Sequence, residues 1–108
     1  MNKVVHIKVF YVSHVVGRVI QIDRATPWGN PFIIGADGNR GGVCDLHKYW
    51  LERWILNKHE EVHKIGIREY SNKWVMEHIK ELKGKDLACW CAPKQCHGDT
   101  LIILANKE

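Results

Sequence analysis

Apolar and polar side chains alternate from Lys3 to Val12, with Val5, Ile7, Val9 and Tyr11 set against His6, Lys8 and Phe10, and this period of two predicts a β-strand. A second extended stretch runs from Val15 to Ile22 through Gly17. The pattern then breaks: between Arg24 and Gly42 stand Pro27, Gly29, Pro31, Gly35, Gly38, Gly41 and Gly42, too many breakers for a regular element, so a long loop is expected. Beyond it the spacing changes to three and four. Val43, Leu46, Trp50 and Trp54 predict an amphipathic helix to about Leu56. Tyr70, Trp74, Val75, His78, Ile79 and Leu82 predict a second helix that stops at Gly84, a suitable C-cap. Asn57 to Arg68 is charged and reads as a linker or a short extra element. Leu87 to Cys91 is again extended, Pro93 ends it, and Leu101-Ile102-Ile103-Leu104-Ala105 opens a last helix with Cys96, His97 and Asp99 around its first turn. Strands separated by helices predict a small three-layer α/β single domain over residues 1–108, a short central sheet with helices around it.

Composition narrows the picture without deciding it. A chain of 108 residues can bury roughly two thirds of its unfolded surface and hold a core without covalent staples. No charged leader with an apolar segment behind it is visible, and no apolar run has the length of a bilayer span, so a soluble, cytoplasmic protein is expected. Four cysteines with no secretion signal are expected to be thiols, not a disulfide framework. The formal charge of +4 and pI near 8.9 permit an anionic partner, nucleotide or nucleic acid, although the basic residues form no block. Nucleotide fingerprints are missing: there is no GxGxxG, and the glycine-rich loop lacks the lysine and hydroxyl residue of a phosphate loop, which disfavours a dinucleotide cofactor.

The densest chemistry lies in Cys89-Trp90-Cys91-Ala92-Pro93-Lys94-Gln95-Cys96-His97-Gly98-Asp99, with three cysteines, a histidine and an aspartate in eleven residues. On a strand, Cys89 and Cys91 share one face and Trp90 takes the other. Three readings of the cluster stand side by side. Cys89, Cys91, Cys96 and His97 form an accepted zinc-ligand set, although a CxC pair is not the usual knuckle spacing. Alternatively Cys96, His97 and Asp99 are catalytic, with Cys96 as nucleophile or ligand contact and His97 or Asp99 as acid or base. A thiol at a helix N-terminus gains from the positive end of the macrodipole, so Cys96 is expected to be the reactive one. Adjacent helical residues rarely face each other, so Cys96 and His97 are expected to serve one ligand and not each other. Finally, Cys89 and Cys91 read as small buried residues of a core strand, with His97 only capping the helix; Cys44 is likewise expected to be buried, in the apolar pattern of the first helix.

A second concentration lies in Thr26-Pro27-Trp28-Gly29-Asn30-Pro31-Phe32 and Gly35-Ala36-Asp37-Gly38-Asn39-Arg40. Aromatic rings between turn formers suit stacking, and Arg40 just before a helix suits an anion shared with that helix's amides. Arg24, Trp28, Gly29, Asn30, Asp37 and Arg40 are therefore the ligand-binding candidates, against the alternative that Trp28 and Phe32 pack inside and Asp37-Gly38 is only a turn.

These two segments resemble a bacterial and phage family, domain of unknown function 4326. It is marked by Arg-x-x-x-Trp-Gly-Asn-Pro-Phe, then Ile-Gly-x-Asp-Gly-x-Arg, a tyrosine-bearing helix, and a closing Gly-Lys-x-Leu-x-Cys-Trp-Cys-x-Pro-x-x-Cys-His-Gly-Asp-x-Leu. Here these are Arg24, Trp28 to Phe32, Ile34 to Arg40, Tyr49, and Gly84 to Leu101. Asp23 stands where that family usually has glycine, and the stretch around residues 58–70 lengthens the middle. The closing motif is more distantly similar to that of domain of unknown function 488. Neither resemblance implies a settled activity.

From the residues, a ligand site is expected at the carboxyl ends of the strands, where the loop after Ile22 and the turn after Cys91 meet. The expected function is binding or processing of a nucleotide or other phosphorylated small molecule, in the manner of a hydrolase or transferase. Trp28 would stack a ring, Arg24 and Arg40 would hold anionic oxygens, Asp37 or Asp99 would hold hydroxyls, and Cys96 with His97 would work at the reacting centre. The alternative is a zinc-stabilised nucleic-acid-binding module without catalysis.

Overall fold

Three short parallel strands are built from residues far apart in the chain, and the last of them lies in the middle. The computed structural model describes residues 4–6, 19–90 and 94–107. Strand β1 (Val4–His6) and strand β2 (Val19–Gln21) flank β5 (Asp86–Cys89) on either side, in the order β1-β5-β2. Val4 pairs with Leu87 and Ile20 with the same residue from the other side. Being central explains why β5 carries Leu87, Ala88 and Cys89, all buried, in place of an alternating pattern. The rest of the expected N-terminal strands, residues 7–18, and Cys91 with Pro93 lie outside the described residues.

Helix α1 (Arg40–Asn57) starts three residues earlier than the apolar spacing suggests. Asn39 adopts an extended conformation and its side chain accepts the Gly42 amide hydrogen at 2.8 Å, so Gly41 and Gly42 are drawn into the first turn despite their helix-breaking character. The helix ends at Lys58, whose φ of 55° is left-handed and lets the amides of Lys58 and His59 return to Trp54 and Arg53. The short extra element that was one expectation for Asn57 to Arg68 is present, as an antiparallel hairpin that also takes in Tyr70, expected to open a helix: β3 (Val62–Ile65) pairs with β4 (Arg68–Ser71) around Gly66, which turns with φ of 62°. Tyr70 is thus a strand residue. Helix α2 (Asn72–His78) follows, capped by Ser71, and tightens into a 3-10 turn (Ile79–Leu82) before Gly84 at φ 78°. Helix α3 (His97–Ala105) closes the chain.

Trp50, Leu51, Tyr70, Val75, Leu82, Leu87, Leu101 and Ala105 make the core, drawn from all three helices and both sheets. Asn72 joins the parts: fully buried, it donates to the carbonyls of Trp50 and His59 and accepts from the Glu61 amide, so a segment with no regular structure is held by one side chain. The result is a small α/β domain whose radius of gyration, 13.2 Å, is that of a compact body of this length, about 13 Å. Among the described residues no helix is long and apolar enough to cross a membrane.

Candidate functional site

Helix α3 begins where the central strand has just ended, and its first turn is pressed against the sheet. A Cβ on Gly98 would stand 2.8 Å from side-chain carbons of Ile22 and Val4, so only glycine lets the helix start this close. Cys96 is the N-cap: its backbone is extended, its sulfur accepts the Gly98 amide at 3.4 Å, and the Asp99 carboxylate reaches back to the Cys96 amide at 3.3 Å. This is a capping box with sulfur in the hydroxyl's place. Because Cys96 is not itself helical, it does face its neighbour, contrary to the expectation from helical spacing: Cys96 Sγ lies 3.4 Å from His97 Nδ1. On the other side Cys96 Sγ meets Cys89 Sγ at 2.8 Å.

The histidine's tautomer follows from its surroundings. His97 Nε2 lies 2.9 Å from the Ile22 carbonyl oxygen and 3.1 Å from that of Trp28. Carbonyls only accept, so Nε2 carries the hydrogen and Nδ1 presents its lone pair to Cys96. Cys89, Cys96 and His97 are all buried, and their donor atoms lie within 4.8 Å of one another. Such a cluster has two chemical capacities. Cys96 and His97 can share a proton, the thiolate supported by the Gly98 amide and the helix end; or two sulfurs and one imidazole nitrogen can hold a soft or borderline cation.

The three residues line a cleft of about 270 Å³ together with Asp23, Arg24, Ala25, Asn30, Phe32, Arg40, Trp90 and Gln95. Its walls are the segments that leave β2 and β5 at their carboxyl ends and the start of α1, so the two sequence clusters meet in one place. Arg40 reaches the Gln95 carbonyl at 3.4 Å, and neither Arg40 nor the exposed Arg24 has a carboxylate partner among the described residues. The backbone of Arg24 is held from behind by Tyr70, whose hydroxyl donates to the Arg24 carbonyl at 2.5 Å; burial pushes that hydroxyl's pKa up, which keeps it a donor. Gly29 permits the turn above: a Cβ there would sit 2.6 Å from Arg24 Cα.

The structure separates the ligand-binding candidates. Arg24, Asn30 and Arg40 line the cleft with Cys96 and His97. Asn30 is spent structurally, donating to the Val43 carbonyl and accepting the Phe32 amide. Trp28, expected to stack on a ligand, is instead buried and packs edge-on against Trp74 with centroids 4.8 Å apart, because the loop folds its ring inward beneath Gly29. Asp37 closes its own exposed turn by accepting the Ile33 amide, and it stands outside the cleft wall. Asp99 caps α3 and borders a second groove, between α1 and α3, that also touches Cys96. Of the zinc alternative, Cys89, Cys96 and His97 converge, while Cys91 lies outside the described residues.

Three residues escaped the sequence reading of the site. Trp90 is 55% exposed at the cleft edge and donates to Asp23 Oδ2 at 3.0 Å, so Asp23, in the position where the resembled family has glycine, anchors it. His47 is wholly buried on α1, its ring 5.1 Å from that of His97, and neither nitrogen has a hydrogen-bond partner among the described residues. Burial and the neighbouring His97 push its pKa well below the ordinary histidine value, so it is uncharged at neutral pH. Its only trace in the sequence is a place in the apolar stripe between Val43 and Trp50.

Comparison with known proteins agrees with the motifs. The family model described as Domain of unknown function (DUF4326) matches residues 7–107. The chain is 34% identical over 89 residues, 82% of its length and 68% of the relative's, to the "Uncharacterized 12.4 kDa protein in nrdA-td intergenic region" of Enterobacteria phage T4. No solved structure matches.

Proposed function

The chain belongs to the DUF4326 family, whose description names no chemistry, and we propose from the cleft itself that it binds a nucleotide or other phosphorylated small molecule and works on it with Cys96 and His97. One observation carries the proposal: two guanidinium groups without carboxylate partners among the described residues line the same small cleft as a buried thiol–imidazole pair. Arginine's planar fork suits phosphate oxygens, and a cationic wall in a partly enclosed cleft is where it binds them best. Trp90, held by Asp23 at the rim, takes the stacking role that Trp28 does not have. A volume of about 270 Å³ is at the small end of ligand cavities and suits a mononucleotide better than a dinucleotide. A reducing, cytoplasmic setting is part of the same proposal, since Cys96 acts only as thiol or thiolate.

Thermal unfolding tests the proposal, with nucleoside monophosphates and the matching nucleosides as probes. The phosphorylated compounds should stabilise the protein, by about 2.7 kcal/mol at a hundred times Kd, and Arg24→Ala and Arg40→Ala should remove that shift without lowering the melting temperature of the unliganded protein. Equal shifts from nucleoside and nucleotide, or none from either, would refute it.

A second reading, a zinc-stabilised nucleic-acid-binding module, is favoured by the convergence of Cys89, Cys96 and His97. It requires bound zinc and an oligonucleotide affinity that falls steeply with salt, which the first reading does not.

A further inference from the structure

We propose that Cys89, Cys96 and His97 hold one cation of the zinc class by three protein ligands, leaving a fourth coordination position that opens into the cleft. The inference deepens the zinc reading and draws on the cleft reading for what occupies that position. A structural zinc site is closed by four protein donors, whereas a site that handles substrate keeps three and an open place for water or a ligand oxygen. Among the described residues the donor atoms that converge are three, two sulfurs and Nδ1, and all three residues are part of the cleft wall.

The surroundings fit a metal-bound imidazole. His97 Nε2 donates to two backbone carbonyls, Ile22 and Trp28, which fixes the ring and leaves Nδ1 as the free donor; metal-bound histidines are oriented in the same way by their outer hydrogen bonds. The Gly98 amide points at Cys96 Sγ and would offset part of the thiolate's charge. Two thiolates neutralise a divalent cation, so the buried centre carries no net charge, and the anionic ligand is left to Arg24 and Arg40. The sulfurs, now 2.8 Å apart, must part by about 1 Å, since two thiolates at tetrahedral zinc stand about 3.8 Å apart given Zn–S bonds near 2.3 Å. His47 lies against His97 but is not one of the converging donors.

The test uses the whole chain, stripped with a chelator and reloaded with Co²⁺ or Zn²⁺. One equivalent should bind, with sulfur-to-cobalt charge-transfer absorption. Azide should then shift the visible cobalt bands, because only an open position admits it. Cys89→Ser, Cys96→Ser and His97→Asn should each lose stoichiometric binding, while Cys91→Ser and His47→Leu keep it. No bound cation, loss of the cation in Cys91→Ser or His47→Leu, or cobalt bands indifferent to azide would each overturn the proposal. The azide result on the unmutated protein stands even where a variant fails to fold. Stabilisation by a nucleoside monophosphate in the chelated protein would leave the cleft reading intact when the metal reading fails.

Discussion

Replacing His47 by leucine should make the protein more stable, and increasingly so as the pH falls. His47 is fully buried with both ring nitrogens unpartnered among the described residues. A buried polar group without a partner costs about 1–3 kcal/mol. Leucine has nearly the same volume, and a hydrophobic replacement of matched size costs about 1 kcal/mol in repacking. The net gain at pH 7 is therefore about 1 kcal/mol, or a melting temperature higher by about 4 °C. The pH dependence adds to this. Burial and His97 lower the pKa of His47 in the folded state, so above about pH 6.5 both folded and unfolded chains hold it neutral and it contributes no slope. Below that pH the unfolded chain takes up a proton that the folded one refuses, and stability falls by about 1.4 kcal/mol per pH unit until the lowered folded pKa is reached. His97, whose ring lies against it, is common to both proteins, so the difference between variant and parent reads His47. Urea unfolding at pH 7 and pH 5 with chelator present should show that difference widening as the pH falls. A less stable variant whose deficit does not change with pH would mean that His47 is partnered in solution, and the reasoning would be wrong.

Trp28→Ala should cost about 3–5 kcal/mol, as a buried tryptophan does, whereas Trp90→Ala should barely change the melting temperature and should weaken nucleotide binding; thermal melts with and without ligand check both. Gly29→Ala should be worse than Gly98→Ala, because the added methyl meets the backbone of Asp23 and Arg24 in the first and side-chain carbons of Ile22 and Val4 in the second; overpacking of about 1–3 kcal/mol is expected at Gly98 and more at Gly29, read by urea unfolding. Cys96→Ser should leave helix α3 as stable as before within about 0.5 kcal/mol, since serine is a good N-cap, while abolishing thiol alkylation at that position, as mass spectrometry would show.

What the sequence made legible is the part ruled by local physics. The spacing of Val43, Trp50 and Trp54 marked α1, and the strand, the proline and the apolar run after it put Cys96, His97 and Asp99 at a helix start, where the structure has them. Convergence of the Arg24 to Arg40 loop with that helix start followed from strands leading into both. Other features depend on contacts distant in sequence. The direction in which Trp28 turns is decided by Trp74, far along the chain. Tyr70 keeps helical spacing with Trp74, yet it is a strand residue because its partner His63 lies across the hairpin, and only Gly66 hinted at that turn. Helical geometry at both Cys96 and His97 would make them look apart. The cap's extended backbone reverses that, and no spacing rule reveals a cap's side-chain direction.

If the cleft between the Arg24 to Arg40 loop and the start of α3 receives a phosphorylated, nucleotide-like molecule, as proposed, such a molecule must act on the residues that line it. Amide and indole NMR spectra of the labelled protein, titrated with adenosine monophosphate and, separately, with adenosine, test it most directly. The phosphorylated compound should move the signals of Arg24, Arg40, Gln95, Cys96 and the Trp90 indole together along one saturable curve, and adenosine should move the Trp90 indole alone and weakly. Saturable shifts confined to the groove between α1 and α3, or no shifts at millimolar nucleotide, would contradict it.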